Sequence, residues 1–397
     1  MTTIFRAARV LTPEPLDDGW VRVEGERIVE VGSGPLPSGP TGAVPGSAGV
    51  AAGSRAGSGA GTAEVVDLGD RILVPGFVDM HAHGGGGAAY TDGADAARTA
   101  LATHLAHGTT SAMASLVTDT LEVLERQVRA LAPLVSDREL MGIHLEGPWL
   151  SELHCGAHDP DLLTDPLRRD LDRLLAAGEG TIRMVTLAVE RLGGQAAVRH
   201  LVESGVVVAP GHSHATYADA NLAIDAGARV ATHLFNAERP IHHREPGLIV
   251  ALLERAEVIV EVIADGVHLH PAIVGDIARL KPGRFVLVTD AMAAAGSDDG
   301  DYELGPLKVE VRDSVARLAG GGAIAGSTLT LDRAVRFCVQ HAGIDLVDAV
   351  RAATATPASV FGRDDIGRIA PGAYADLVVL GPDLGVEAVH RCGQQVR

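Results

Sequence analysis

Lysine, cysteine and aromatic residues are all scarce in this chain of 397 residues. There are only two lysines, Lys281 and Lys308, and aromatic residues make up 3% of the sequence. The three cysteines are odd in number and widely spaced, which fits neither a disulfide framework nor a thiolate zinc site. Most of the positive charge is therefore carried by arginine, and any metal site must use histidine and carboxylate ligands.

Long apolar runs and an excess of positive charge are also lacking. The richest apolar stretch, Leu248 to Val262, is too short to span a membrane and is interrupted by Glu254, Arg255, Glu257 and Glu261. The first residues lack the basic and then apolar layout of a secretory signal. The net charge of −18 disfavours sequence-independent binding to nucleic acid or to an anionic membrane. We therefore expect a soluble cytoplasmic protein with a small-molecule partner and no nucleic-acid or membrane partner.

The two ends of the chain have the character of short antiparallel strands. Residues 4–31 and 65–74 alternate apolar runs with polar turns, and residues 367–380 do so again near the C-terminus. Residues 32–63 consist almost entirely of Gly, Ser, Ala and Pro, which predicts a flexible surface insertion. We predict one small β-sandwich domain assembled from residues 1–74 and 355–397.

The middle of the chain, residues 75–354, alternates short apolar strands with helix-length amphipathic stretches. Near-continuous apolar strands separated by helices indicate a parallel sheet that is covered on both faces. Eight such units predict a (β/α)8 barrel as the catalytic domain. The predicted strands are Gly76–Met80, Thr110–Val117, Leu140–Leu145, Ile182–Ala188, Val206–Ala209, Arg229–Thr232, Val258–Ile263 and Phe285–Thr289.

Histidine and acidic residues occur at or just after the C-terminal ends of these strands, where the active sites of barrels lie. Any one of them is ordinary as a loop residue or a helix cap, but the whole set together indicates a metal site. His81 and His83 alternate on one extended segment, so both imidazoles face the same side. The set comprises His81, His83, Glu146, His212, His233 and Asp290.

This ordered set resembles the amidohydrolase superfamily and, within it, the N-acetylglucosamine-6-phosphate deacetylase family. The matching segments run through most of the chain in the family's order. They are Pro75-Gly76-Phe77-Val78-Asp79, His144-Leu145-Glu146-Gly147-Pro148-Trp149, Gly211-His212-Ser213, Thr232-His233-Leu234-Phe235-Asn236-Ala237, Arg244-Glu245-Pro246-Gly247, Ile263-Ala264-Asp265-Gly266-Val267-His268, Val288-Thr289-Asp290-Ala291 and Gly326-Ser327-Thr328-Leu329-Thr330. The resemblance implies a barrel with a β-sandwich built from both termini.

The resemblance implies that Glu146, His212 and His233 bind a divalent metal ion, with Asp290 beside it. His81 and His83 match the pair of those members that hold a second ion, so a site with Glu146 bridging two ions is favoured over a single-ion site. Neither lysine lies on a mid-barrel strand, which disfavours relatives that bridge their metals with a carboxylated lysine. Zinc is favoured as the metal, and iron, manganese and cobalt suit the same ligands.

The resemblance also implies the residues that contact substrate. His158 contacts the substrate near the scissile amide, and Asp290 serves as the proton acceptor and donor. Ile324, Ala325 and Gly326 border the acetyl end, and a homodimer is implied in which Arg244 reaches the partner's pocket. The further substrate-binding residues are Ala157, Asn236, Ala237, Arg244 and His268. Glu238 stands where relatives carry Met, and its charge is expected to weaken anion binding.

The expected activity is removal of the N-acetyl group from N-acetyl-D-glucosamine 6-phosphate. Three alternatives stay open at this point. One is the galactosamine epimer as substrate, and another is an N-acyl amino acid as in D-aminoacylase-like proteins. A catalytically dead barrel that acts as a binding protein is disfavoured, because Asp290 and all the expected ligands are present.

Overall fold

The computed structural model describes residues 2–36, 41–44 and 63–397. The strands are β1 (Thr2–Val10), β2 (Leu16–Glu24), β3 (Arg27–Ser33), β4 (Thr41–Val44), β5 (Ala63–Asp67), β6 (Ile72–Pro75), β7 (Phe77–Asp79), β8 (Gly84–Gly85), β9 (Ala88–Ala89), β10 (Thr109–Leu116), β11 (Gly142–Glu146), β12 (Ile182–Leu187), β13 (Val207–Pro210), β14 (Val230–Ala231), β15 (Ile259–Val262), β16 (Phe285–Leu287), β17 (Gly300–Leu304), β18 (Leu307–Arg312), β19 (Val315–Leu318), β20 (Leu377–Leu380), β21 (Val386–Arg391) and β22 (Gln394–Gln395). The helices are α1 (Ala94–Ala106), α2 (Leu121–Ser136), α3 (Arg168–Gly178), α4 (Gly194–Glu203), α5 (Tyr217–Asp225), α6 (Gly247–Glu254), α7 (Pro271–Leu280), α8 (Leu331–Gln340), α9 (Leu346–Ala352) and α10 (Ala355–Val360).

Both ends of the chain join one sheet, as the sequence predicted. Strand β20 pairs antiparallel with β6, and the sheet has the order β22-β21-β20-β6-β1-β2-β3. The sheet forks at β1, which pairs with β6 near its end and with β5 near its start. Its apolar core contains Phe5, Val21, Leu73 and Leu377. By hydrogen bonding this domain is thus one forked sheet around a core, rather than two separate sheets.

The predicted insertion at residues 32–63 is described only in part. Strand β3 extends to Ser33, and β4 pairs in parallel with β5 at the edge of the terminal sheet. The composition of this segment contains no alternating apolar pattern, so β4 was not predicted. Residues 37–40 and 45–62, on which the prediction of a flexible insertion also falls, lie outside the described residues.

A (β/α)8 barrel follows, and each of the eight strands predicted for it is present within the described residues. Strands β7, β10, β11, β12 and β13 pair in parallel in one run, and β14, β15 and β16 pair in a second. The amide of Thr232 donates to the carbonyl of Pro210 at 3.1 Å, which joins the two runs. The barrel closes where the amide of Asp290 donates to the carbonyl of His81 at 2.8 Å.

The helices cover the barrel with their apolar faces inward. In α2 the buried residues are Leu124, Val128, Leu131 and Leu134, a spacing that forms one stripe along a helix. Thr120 caps its N-terminus by accepting the amide proton of Val123. Among the residues that the structure describes, no helix has both the length and the apolar character needed to cross a membrane.

Two features refine the division between the domains, which stays a prediction. Gly76 connects the terminal sheet to the barrel, and a Cβ there would lie 2.2 Å from the Thr110 hydroxyl, so only glycine fits. Helix α10 contacts β7 and β16, which favours counting residues 355–360 with the barrel rather than with the terminal domain. A small antiparallel sheet, β17–β19, follows β16 and packs against Val117, Ala157 and Met292.

Thr289 holds the first barrel strand against the last. Its hydroxyl donates to the Asp79 carboxylate at 2.6 Å, and both side chains are fully buried. We expect Thr289→Val to lower the free energy of unfolding by about 1–3 kcal/mol, because a buried carboxyl loses its donor. Thr289→Ser keeps the hydroxyl and should lose less. Denaturant unfolding followed by circular dichroism measures both, and equal losses would contradict this role of the hydroxyl.

Candidate metal centre and active-site cleft

The predicted metal ligands meet at the C-terminal end of the barrel. His81 and His83 follow β7, Glu146 ends β11, and the other three follow β13, β14 and β16. His212, His233 and Asp290 have positive φ angles of 46°, 26° and 48°. Side chains other than glycine rarely adopt this backbone, so the chain is strained where these ligands turn inward. Such strain persists only where the surrounding structure enforces it.

Glu146 connects two groups of histidines through its two carboxylate oxygens. Its Oε1 lies 3.1 Å from His212 Nε2 and 3.0 Å from His233 Nε2. Its Oε2 lies 3.1 Å from His83 Nε2 and 3.5 Å from His81 Nε2. Each group is compact enough for its atoms to bind one ion. A carboxylate in this position suits a bridge between two cations.

Asp290 completes the group around His81 and His83. Its Oδ1 lies 3.1 Å from His83 Nε2 and 3.4 Å from His81 Nε2, and the two Nε2 atoms are 3.3 Å apart. These nitrogen and oxygen atoms come from three different strand ends, β7, β11 and β16. The resulting set of two imidazoles and two carboxylates is one that divalent zinc, iron, manganese or cobalt binds.

The outer ring nitrogens show that these residues fit a cation. Nδ1–H of His83 donates to the carbonyl of Ser115 at 3.2 Å, and Nδ1–H of His212 donates to the carbonyl of His154 at 3.1 Å. In the neutral rings, the Nε2 lone pair of His83 faces His81 Nε2, and that of His212 faces His233 Nε2. Each of the two also faces an oxygen of Glu146. Electron-rich atoms at such distances need a proton or a metal cation between them.

The pKa shifts in the site have the same cause. Burial opposes ionisation of Glu146 and Asp290, but the surrounding imidazoles hold the pKa of each carboxyl well below its usual range. Burial lowers the pKa of His212 to about 4, so this ring is neutral and its lone pair is free. Burial also lowers the pKa of His83, but the neighbouring carboxylates of Asp290 and Glu146 outweigh it and raise the pKa to about 9. A cation that binds there displaces a proton.

A cleft of about 350 Å³ opens directly over this centre. A volume of this order suits a small molecule. The site residues predicted from the sequence that line it are His83, Glu146, Ala157, His158, His212, His233, Asn236, Ala237, His268, Asp290, Ile324 and Gly326. The cleft is also lined by Val117, Leu304 and Ala323, which form part of an apolar wall.

Three predicted site residues do not line the cleft. His81 is fully buried behind His83, where it still reaches Glu146 and Asp290. Ala325 is fully buried in the apolar cluster beneath the small sheet, whereas its neighbours Ile324 and Gly326 face the cleft. Arg244 lies exposed on the loop after β14, where its guanidinium donates to His243 Nε2 at 2.8 Å. Its contact with substrate stays a prediction.

His158 is held with a defined ring orientation. Its Nδ1 accepts the amide proton of Thr118 at 3.3 Å and lies 2.9 Å from the Thr118 hydroxyl. The proton of the neutral ring therefore sits on Nε2, which lies 3.6 Å from Glu146 Oε2 at the floor of the cleft. An N–H group at this point can donate to an oxygen of a bound substrate.

The other end of the cleft is shaped by turns of the backbone. The Asn236 amide group donates to the carbonyls of His233 and Leu234, which holds the turn that carries Ala237. His268 Nδ1–H donates to the Asp265 carboxylate at 2.7 Å. Burial opposes the charge on Asp265, but this hydrogen bond outweighs it and lowers the pKa of the carboxyl. His268 Nε2 is thereby left available to the cleft.

Sequence reasoning missed several residues that support the site. Thr118 and Asp265 orient His158 and His268, and Leu304 reaches the cleft from the small sheet. Glu261 is fully buried and accepts from His81. One signal for it existed, since a single carboxylate inside the apolar strand 258–263 must have a buried partner. Asp265 lies three residues before its partner His268, so a local signal existed for it as well. Thr118 and Leu304 gave none, because the residues they meet are distant in the sequence.

Comparison with known proteins agrees with this geometry. Residues 72–396 match the amidohydrolase family. A solved structure of a mutant N-acetyl-D-glucosamine-6-phosphate deacetylase from Mycobacterium smegmatis, in complex with N-acetyl-D-glucosamine-6-phosphate, is 47% identical to this chain. The two superpose with a TM-score of 0.91, covering 100% of this chain and 99% of the other.

Two curated relatives are similar at a lower identity. N-acetylgalactosamine-6-phosphate deacetylase from Escherichia coli O157:H7 is 35% identical over 401 residues, covering 99% of each chain. N-acetylglucosamine-6-phosphate deacetylase from Lysinibacillus sphaericus is 35% identical over 333 residues, covering 82% of this chain and 85% of its own. The family match and these relatives extend over most of the sequence. This chain therefore belongs to the amidohydrolase family.

Proposed function

We propose that this chain is a metal-dependent hydrolase that removes the N-acetyl group from N-acetyl-D-glucosamine 6-phosphate. The products are acetate and D-glucosamine 6-phosphate, so the enzyme acts in amino-sugar metabolism. We also propose that it acts in the cytoplasm. One observation supports the proposal above all others. Four imidazoles lie close to the carboxylates of Glu146 and Asp290 beneath a cleft that His158 also lines. The relatives named above support the choice of an amino-sugar phosphate as substrate.

We propose that Glu146, His212 and His233 hold one divalent cation, and that His81, His83, Glu146 and Asp290 hold a second. Zinc is the favoured metal, because its preferred ligands are those present. A divalent cation in such a site lowers the pKa of a bound water towards neutrality and polarises the amide carbonyl. The protein's contribution is to fix these ligands in place and to move protons.

Asp290 and His158 carry out the proton and charge steps. Asp290, held ionised by its imidazole neighbours, accepts a proton as a water oxygen bonds to the acetyl carbon. The Nε2–H of His158 donates to the carbonyl oxygen as it becomes negative. Asp290 then gives its proton to the amide nitrogen, and the carbon–nitrogen bond breaks. The acetic acid passes the second water proton to the amine, so acetate and an ammonium group leave, and the Asp290 carboxylate is again ionised.

The phosphate requires a cation that this chain does not place in its own cleft. Among the described residues that line the cleft there is no lysine or arginine, and the net charge of the chain is −18. Arg244 is exposed on the rim loop that follows Asn236 and Ala237. We propose a homodimer in which Arg244 enters the partner's cleft and binds phosphate together with His268, because a guanidinium offers paired donors and stays charged.

Glu238 does not add the charge that the sequence led us to expect. The side chain is buried, and burial raises the pKa of its carboxyl to about 8. The amide of Phe235 donates to Glu238 Oε2 at 2.7 Å. A carboxyl with a pKa of about 8 is mostly protonated at pH 7, so it adds little negative charge beside a phosphate. A neutral carboxyl can occupy a buried position in which relatives carry Met.

N-Acetylgalactosamine 6-phosphate is the second candidate substrate. It is favoured by the Escherichia coli relative, whose match covers 99% of both chains. The two sugars differ only in the configuration of one hydroxyl, so the same metal centre serves either. An N-acyl amino acid is a weaker candidate, because it offers no phosphate for His268 and Arg244.

An acetate-release assay over four compounds tests the proposed function. We expect rapid release from N-acetyl-D-glucosamine 6-phosphate, slower release from its galactosamine epimer, and far slower release from N-acetylglucosamine and an N-acetyl-D-amino acid. The reason is that the phosphate supplies binding energy which the other compounds lack. Equal rates with and without the phosphate would contradict the phosphate assignment.

Asp290→Asn removes the proton acceptor with little change of shape. We expect the rate of acetate release to fall about 10²–10⁴-fold, since an amide side chain cannot take up the proton of water. Asp298→Asn, on an exposed loop nearby, serves as the matched control and should keep full activity. Thermal unfolding monitors the fold of both variants. Activity retained by Asp290→Asn would remove this residue from the mechanism.

Mixing two defective variants tests the placement of Arg244. Arg244→Gln should raise KM for the phosphorylated sugar without changing turnover of the unphosphorylated one. When Arg244→Gln and Asp290→Asn are co-expressed, each mixed dimer contains one cleft with an intact Asp290 and a native Arg244 from its partner. We expect activity with the wild-type KM to return. If Arg244 served its own chain, no such recovery would occur.

The raised pKa of Glu238 predicts that the free energy of unfolding depends on pH. The pKa of about 8 in the folded protein exceeds the ordinary value of 4.5, so the folded state keeps a proton that the unfolded chain releases. This stabilisation is complete below pH about 4.5 and is lost as the pH rises to about 8. Relative to Glu238→Gln, the wild type should lose about 1.4 kcal/mol of unfolding free energy per pH unit in this range.

Denaturant unfolding at several pH values measures this difference. Glu203→Gln, at an exposed position on α4, is the control and should unfold in parallel with the wild type. Parallel curves for Glu238→Gln and the wild type would show that Glu238 is ionised in the folded protein. In that case the carboxylate would remain a negative charge close to the cleft.

A further inference from the structure

Glu261 is a buried carboxylate that the proposed mechanism leaves without a role. It lies in the middle of barrel strand β15 and is fully buried. Its Oε2 accepts from His81 Nδ1–H at 2.9 Å and from the amide of His233 at 3.0 Å. Its Oε1 is buried and has no hydrogen-bond partner among the described residues. A carboxylate in such a place needs a compensating charge nearby.

The contact with His81 determines which nitrogen of that ring faces the metal centre. Because Nδ1 donates its proton to Glu261, Nε2 carries the lone pair, and it points towards His83, Glu146 and Asp290. A carboxylate behind a ligating imidazole fixes the ring's orientation and makes it a better ligand. His83 and His212 donate instead to neutral backbone carbonyls. His81 thus has an anionic partner that those two ligands lack.

Charge balance points in the same direction. Three carboxylates, Glu146, Glu261 and Asp290, lie buried around the ligands, and in the described part of the chain their ion-pair partners are all histidines. A histidine contributes positive charge only when it is protonated, and a metal cation that binds the ring takes the place of that proton. Buried ionised groups that lack compensation are strongly unfavourable. Glu261 is the carboxylate nearest to His81, so it favours a cation bound to His81.

We infer that Glu261 is a positioning residue that, through His81, makes the site accept a second divalent cation between His81, His83, Glu146 and Asp290. The inference rests on the proposed metal-dependent function and adds a residue from a strand that supplies no ligand. Glu261 touches neither substrate nor the reacting atoms. Its effect is on cation affinity at one of two positions, and it leaves the His212–His233 position unchanged.

Cation binding to the purified full-length protein tests this directly. Zn²⁺ binding by equilibrium dialysis with metal analysis should give two ions per chain for the wild type. Glu261→Gln keeps the size and one acceptor but removes the charge, and the affinity of one position should fall about 10–100-fold while the other is unchanged. With Mn²⁺ as the metal, the electron paramagnetic resonance spectrum of the wild type should be that of a coupled pair of ions, and that of Glu261→Gln should be that of an isolated ion.

Glu190→Gln is the matched control. Glu190 also accepts a backbone amide near a ligand, that of His214 at 2.6 Å, two residues after His212, but none of its hydrogen bonds is to a ligand ring. This variant should keep two ions. A wild type that binds one ion, or a Glu261→Gln variant that binds two with unchanged affinity, would overturn the inference. Circular dichroism checks the fold of each variant.

A double variant separates positioning from a general structural role. If Glu261 acts through His81, adding Glu261→Gln to His81→Gln should not weaken the remaining cation any further. If Glu261 served only to hold the His233 backbone, the His212–His233 cation would weaken in both backgrounds, which would overturn the inference. These readouts do not depend on acetate release. A failure of the proposed substrate would therefore be distinguishable from a failure of this assignment.

Discussion

The carboxylate of Glu146 lies at the end of a buried strand with imidazole nitrogens against both of its oxygens, and the remainder of the site is arranged around it. Its Oε1 faces His212 and His233, and its Oε2 faces His83 and, slightly further away, His81. A buried carboxylate with these neighbours stays ionised, and it brings two groups of ligands within reach of two cations. Removal of this one group would leave the Nε2 atoms of His212 and His233, which are 3.0 Å apart, without a carboxylate oxygen beside them.

The barrel provides this arrangement by bringing distant strand ends to one rim. Closure between β7 and β16 is direct, since Asp290 and His81 are hydrogen-bonded through their backbones and Thr289 binds Asp79 beneath them. Three of the ligands that follow strands, His212, His233 and Asp290, take left-handed backbone angles, which turn their side chains inward at a cost in strain. The terminal sheet contributes no ligand, but β6 and β20 pair beside the start of β7 and anchor that end of the barrel.

The electrostatics of the cleft differ between its two ends. At the metal centre, carboxylates are held ionised by imidazoles, and the excess of negative charge attracts divalent cations. Away from the metal ligands, burial raises the pKa of the Glu238 carboxyl to about 8, and the Asp265 carboxylate is paired with His268, which lines the cleft. A chain with net charge −18 can therefore bind an anion only where it has removed or paired its local negative charges. This separation explains how one cleft can hold both a cation and a sugar phosphate.

The sequence by itself predicted the eight barrel strands and the pairing of the two termini, because apolar periodicity is a local property of the chain. It also predicted the residues now found around Glu146, since histidines and acids at strand ends are visible without coordinates. It did not predict that burial raises the pKa of the Glu238 carboxyl, or that Glu261 on strand β15 accepts a hydrogen bond from His81. Those facts depend on which distant groups become neighbours and how far water is excluded, and folding alone decides both.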